Sequence, residues 1–165
     1  MPGPPSRRPV ASLAALLPRV VLDSNVLLRA LLSTAGPSAD LLEAVLQGKL
    51  QLVLSPAIVC EVRRGFFSPN IRRRYPLPLQ DIADYLARLQ RISVLVSGDL
   101  QVHAGSRDPK DNPILACAVE GHADFLITDD RRDLLPMKHF HGVQIVSVPD
   151  FLKRMKHGQL TPASQ

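Results

Sequence analysis

The chain has 165 residues, 45% apolar and 21% charged, proportions that exclude a mostly disordered chain or a coiled coil and suit one domain of about 100–200 residues. Lys and Arg number 20 against 15 Asp and Glu, a formal charge of +5, which favours a polyanionic partner, whereas 4% aromatic residues and no Trp supply a base-stacking platform poorly. No apolar run approaches the roughly 20 residues that cross a bilayer, and the cysteines, Cys60 and Cys117, make neither a disulfide framework nor a four-thiol zinc site, so no membrane and a reducing cytoplasm are expected.

Five of the 15 prolines fall in the first eighteen positions, beside Arg7-Arg8, the composition of a flexible leader over residues 1–18. The apolar run at 10–17 is short and lacks a small-x-small cleavage site after it, which argues against a secretory signal. Residues 19–156 are expected to form the folded domain and 157–165 a flexible tail. Val20-Val21-Leu22 reads as a buried strand and Ser24–Leu32 as a helix. Pro37–Leu46 opens with a helix-start proline and carries Leu41, Leu42, Val45 and Leu46 on one helical face. Leu52-Val53-Leu54 is a second strand, after which Ser55-Pro56 supplies a cap and first-turn proline for a third helix.

The Arg- and Pro-rich stretch 66–78 predicts a loop or short helices, followed by a helix over Leu79–Arg91 and a strand over 92–96. Residues 112–120 have helical spacing, Phe125-Leu126-Ile127 is a strand, and 143–148 is the last strand, with a closing helix after Pro149-Asp150. Continuous apolar strands separated by helices predict a three-layer α/β/α sandwich around a mainly parallel sheet.

Ligands of such sheets bind at the carboxyl ends of the strands, and there the sequence places acids. Asp23 ends the first strand, Asp129-Asp130 follows Phe-Leu-Ile-Thr, Asp111 starts a helix, and Glu61 lies in the helix after the second strand. Singly, each has a structural explanation: Asp23 and Asp111 as caps, Glu61 paired with Arg64, Asp108 with Arg107, and Asp129, Asp130 and Asp133 in a charged turn with Arg131 and Arg132. Jointly they would form a repelling cluster that a divalent cation offsets, and oxygen ligands without a His/Cys set favour Mg2+ or Mn2+ over zinc.

Four segments in order, Val-Val-Leu-Asp23-Ser-Asn25-Val-Leu, the helix containing Ser55 to Glu61, Arg-Asp108-Pro-Lys-Asp111-Asn-Pro-Ile-Leu-Ala and Phe-Leu-Ile-Thr128-Asp129-Asp130, resemble the PIN-domain ribonucleases, of the branch that supplies toxins of bacterial toxin-antitoxin pairs. The ending Gly-Val-Gln-Ile-Val-Ser-Val-Pro-Asp-Phe-Leu resembles the same branch. Ser24 stands where that family often has Thr, and the leader has no counterpart. The resemblance implies Asp23, Glu61 and Asp111 as principal metal-holding catalytic acids and Asp130 as the fourth, with Asp129 as the competing choice. It assigns supporting positions to Asn25 and Thr128 and an outer carboxylate to Asp108. It further implies Mg2+- or Mn2+-dependent hydrolysis of RNA by water attacking phosphorus in line, leaving 5′-phosphate and 3′-hydroxyl ends, and a cognate antitoxin as partner.

Arg63, Arg64, Arg72, Arg73, Arg74 and Arg131 are candidates to guide an RNA backbone, although each alone also reads as a solvated charge. Leu27, Leu28, Leu31 and Leu32 fit either a core or a homodimer surface. An aspartyl-phosphate phosphatase would use Asp23, Ser55, Lys110 and Asp129-Asp130, but Asn25 stands where its general acid belongs and Glu61 would have no role. An RNA- or protein-binding module that lost its chemistry is the other alternative, opposed by the intact acids. His139 and His141 lack a third metal ligand and read as a polar turn. The apolar flanks of Cys60 suggest a buried thiol.

Overall fold

The computed structural model describes residues 17–102 and 109–160. The leader segment 1–16, the tail segment 161–165 and the candidate Asp108 lie outside the described residues. The first half of the chain runs β1 (Arg19–Leu22), α1 (Ser24–Leu32), α2 (Pro37–Leu46), β2 (Gln51–Leu54), α3 (Pro56–Phe67), α4 (Pro69–Arg74), α5 (Leu79–Arg91) and β3 (Val94–Leu95). The second runs α6 (Asn112–Glu120), β4 (Phe125–Ile127), β5 (His139–Phe140), β6 (Val143–Val146) and α7 (Val148–Lys156).

The strands stand in the order β3-β2-β1-β4-β6-β5. All neighbours are parallel except β5 and β6. Helices flank this sheet in the expected three-layer α/β/α sandwich: α6 packs on β1, β2 and β4, while α1 contacts both α2 and α3, and α2 contacts α7. Because the first strand is central, the chain winds outward through β2 and β3, then returns to the opposite side through β4 and β6. Winding reverses between β1 and β4, the place where open α/β sheets leave a crevice beyond the strand ends.

Coverage on both faces explains why the central strands are apolar without alternation. Val20, Val21, Leu22, Leu52, Val53, Leu54, Phe125, Leu126 and Ile127 are all fully buried. Phe151 of α7 closes one end of the core edge-to-face on Phe125, with ring centroids 5.2 Å apart. At the end of α6, a Cβ on Gly121 would fall 2.3 Å from Val53 Cγ1 and 3.1 Å from the Cys117 carbonyl oxygen. The missing side chain lets the helix end approach β2 closely. Arg19 braces the same corner, donating from its guanidinium to Gln51 Oε1 at 3.1 Å and to the Gly121 carbonyl at 3.0 Å.

Several elements differ from expectation. The strand foreseen over 92–96 shrinks to Val94–Leu95, because Ile92 ends α5 in helical geometry and Ser93 Oγ donates to the Leu89 carbonyl at 2.6 Å. Strand β6 stops at Val146, since Ser147 caps α7 by accepting from Asp150 N at 3.2 Å and the helix begins at Val148. His139 is part of the antiparallel strand β5 instead of a turn; His141 and Gly142, both with positive φ, form the tight hairpin turn to β6. Phe66 is core at the end of α3, and of the loop or short helices expected over 66–78 the chain forms the short helix α4. Leu27 belongs to the core.

Cys60 is exposed, contrary to its apolar flanks. Ile58, Val59 and Val62 share the buried stripe of α3, and a residue two positions from Ile58 is turned about 200° from it on a 3.6-residue helix. Cys117 is buried, and burial pushes its thiol up to about 12, against a smaller lowering by the Ser55 hydroxyl.

Gly121→Ala should destabilise the fold by about 1–3 kcal/mol, the cost of overpacking against a stiff β-branched neighbour, read as a lower midpoint in urea. In the native protein a disulfide reagent should modify Cys60 rapidly and Cys117 only after unfolding; fast native modification of Cys117 would contradict its burial. Between the ordinary thiol value of 9.0 and about 12, the unfolded chain ionises Cys117 while the folded chain keeps it protonated. Stability should therefore fall as pH rises through that window, and Cys117→Ala should flatten the decline.

Candidate metal centre

The site is built at the carboxyl ends of β1 and β4, where winding reverses. The ladder extends one residue past each neighbouring pair: Asp23 N donates to the Ile127 carbonyl and Thr128 N to the Val146 carbonyl, both at 3.0 Å. These bonds hold both side chains at the crevice. Thr128, fully buried, donates from Oγ1 to Asp23 Oδ2 at 2.7 Å and accepts from Asp130 N at 3.0 Å. Asp23 therefore does not act as a side-chain cap for α1; only its carbonyl enters the helix, accepting from Leu27 N at 3.0 Å. Ser24 Oγ faces Asp23 Oδ1 at 3.4 Å, a weak second contact on the carboxylate.

Past Thr128 the chain makes a turn organised by Asp130, whose Oδ1 accepts from Arg132 N at 3.0 Å and Asp133 N at 3.1 Å. This local side-chain turn brings Asp133 back beside Asp130. Asp111 reaches the same place from a short 3-10 turn at the start of α6, making no side-chain cap bond to the helix. Asp111, Asp130 and Asp133 each offer one carboxylate oxygen, these lie within 4.8 Å of one another, and all three residues are partly buried.

Asp129 stands apart from this trio, its Oδ2 accepting from Arg29 Nη2 at 2.5 Å. Of the adjacent aspartates, it is thus Asp130 that joins Asp111. Asp133 was legible only as part of a charged turn, and the available signal was its position three residues after Asp130, the reach of a side-chain turn. Neither Asp23 nor Glu61 belongs to the trio. Glu61 is exposed on α3, and among the described residues it makes neither the ion pair with Arg64 nor any other hydrogen bond or ion pair.

Asn25 is exposed on α1 and its carbonyl accepts from Arg29 Nε at 3.4 Å. Arg63 and Arg64 are exposed on α3. Arg72 donates to the Leu77 carbonyl at 2.6 Å and Arg73 to Asn70 Oδ1 at 2.8 Å, so both serve the segment around α4. Arg74 lies over the Tyr75 ring at 5.6 Å, and Arg131 is exposed beside Asp130. Ser55, at the end of β2, is 2% exposed and faces Gly98 and Cys117, which removes its hydroxyl from the acidic crevice.

The donor chemistry of the trio fits a hard divalent cation. Three carboxylates this close repel one another, and a bound dication relieves that repulsion. With oxygen donors and neither His nor Cys in the group, the preference is for Mg2+ or Mn2+ over zinc.

Residues 19–132 match the sequence profile of the PIN domain. Over 120 residues the chain is 28% identical to MJ1680, an uncharacterized protein of Methanocaldococcus jannaschii, covering 73% of this chain and 75% of that protein. It is also similar to a chain in a crystal structure of VapBC2 from Rickettsia felis bound to a DNA fragment from their promoter. That similarity has a TM-score of 0.51 and 12% identity, over 78% of this chain and 98% of the other; at this identity it concerns the fold. The profile spans most of the folded core and includes Asp23, Asp111 and Asp130, and the chain belongs to the PIN domain family, whose members are typically nucleases.

Proposed function

We propose that this chain is a Mg2+- or Mn2+-dependent endoribonuclease, acting in the cytoplasm as the toxin of a toxin-antitoxin pair. The observation that carries the reading is the grouping of Asp111, Asp130 and Asp133 within 4.8 Å, beside an Asp23 carboxylate oriented by Thr128. The formal net charge of +5 favours a polyanionic partner. The antitoxin partner draws support from the likeness to a VapBC2 chain and from the motif resemblance.

In this reading Asp111 and Asp130 hold the ion together with Asp133. Asp23 adds its carboxylate from the β1 side, with Oδ2 already committed to Thr128. Glu61, with no partner among the described residues, completes the set from α3. When bound, the ion supplies charge neutralisation at the phosphate and the Lewis acidity that in-line hydrolysis requires. Thr128 keeps Asp23 in register with Asp130, so that acids from two strands face one phosphate.

Asp111→Asn and Asp130→Asn should each lower metal-dependent cleavage of single-stranded RNA by about 100-fold or more, the scale of losing one electrostatic group at a reacting centre. Asp129→Asn should stay within a few-fold of wild type. Chelation should abolish cleavage and added Mn2+ restore it; undiminished cleavage by both variants would sink the assignment. Thr128→Val should cost about 1–3 kcal/mol of stability, because it leaves the Asp130 amide without its acceptor, and should lower activity further than that loss explains. Co-expression with the neighbouring gene in the source genome should yield a complex on affinity purification, and its absence would count against the toxin role.

A further inference from the structure

A cleft of about 670 Å³ opens beside the acidic trio. Asp129 and Arg131, which line it, flank Asp130 in the chain, so cleft and trio are neighbours. The N-terminus of α2 forms part of its wall. Gly36, with φ of 113°, precedes this helix, Pro37 brings no N–H, and the first helical donor is Asp40 N to the Gly36 carbonyl. The amides of Ser38 and Ala39 thus lie at the positive end of the helix dipole without helical acceptors.

Ser38 supplies an independent sign of a ligand. It is only 9% exposed and lines the cleft, yet its hydroxyl has no hydrogen-bond partner among the described residues. That hydroxyl opens on the cleft, where it is free to donate to an incoming group. Three guanidinium groups, of Arg29, Arg74 and Arg131, share the lining. Arg29 neutralises Asp129 there, while Arg74 and Arg131 are exposed and form no ion pair among the described residues. Helix-end amides, an open hydroxyl and two guanidinium groups without an ion-pair partner among the described residues, that of Arg74 resting on the Tyr75 ring, together suit an anion.

We propose that this cleft holds an internal backbone phosphate of the single-stranded substrate, distinct from the one cleaved at the trio, with Ser38 and the α2 amides donating to it and Arg74 and Arg131 supplying charge. The proposal rests on the nuclease reading for its substrate. Seating a second phosphate would fix the direction and register of the strand across the acids.

The test is fluorescence anisotropy of the full chain with a labelled single-stranded RNA in EDTA. Arg74→Gln and Arg131→Gln should each weaken binding about tenfold, the effect of losing a hydrogen bond to a charged group, and reduce the salt dependence of log K by about 0.7. Ser38→Asp should weaken it more, and Ser38→Ala less. Arg88→Gln, on α5, controls for the general loss of positive charge. Equal affinity for 5′-phosphorylated and 5′-hydroxyl strands supports an internal phosphate; dependence on the terminal phosphate overturns it. Both Arg variants binding no worse than Arg88→Gln, with unchanged salt slopes, overturns the site, and since both residues are exposed this outcome does not hinge on folding. If RNA is never cleaved with Mg2+ or Mn2+ while these variants still lose binding, the nuclease reading fails and the phosphate site stands.

Discussion

One buried hydroxyl joins the two halves of this chain. Thr128 and Asp23 are 105 positions apart, and their bond exists because β1 and β4 are adjacent parallel strands that end together. The same oxygen accepts from Asp130 N, so the conformation of the turn after β4 is tied to the carboxylate after β1. A shift of one residue in the pairing of β4 would place the side chain of Ile127 or Asp129 where the hydroxyl belongs. The sheet register thereby determines which acids can meet.

Electrostatics then sorts the two neighbouring aspartates. Asp129 is neutralised by Arg29 on the α1 side, whereas Asp130 is held by amides of its own turn and faces Asp111 and Asp133. A basic chain concentrates negative charge at one spot and leaves guanidinium groups along the adjoining cleft. Opposite fields a short distance apart suit a ligand that carries its own repeating charge and brings a cation with it.

Much of this was legible from residue order because punctuation and period agreed. Ser24–Leu32, Pro37–Leu46 and Leu79–Arg91 have the bounds expected of them, each being an apolar face delimited by Ser, Pro or a charged last turn. The strands around Val21, Val53 and Leu126 were visible as short runs apolar on every position. The edges were less legible. Ile92 and Ser93 resemble strand residues but close a helix, and β5 exists only because β6 lies alongside to pair with it. Cys60 shows that apolar neighbours in sequence do not bury a residue when the helix turns it away. At the site, Asp23, Asp111 and Asp130 stood out as acids following strands or opening helices. Asp130 already stood ahead of Asp129 by resemblance, but what separates them physically, and what brings Asp133 in, is the hydrogen bonding of one turn, of which the sequence showed only the three-residue spacing from Asp130 to Asp133.

Both margins of the sheet are two-residue strands, Val94–Leu95 on one side and His139–Phe140 on the other. Each presents too few open backbone groups to template a further strand. Among the described residues the sheet thus offers little purchase for edge-to-edge self-association and fibre growth.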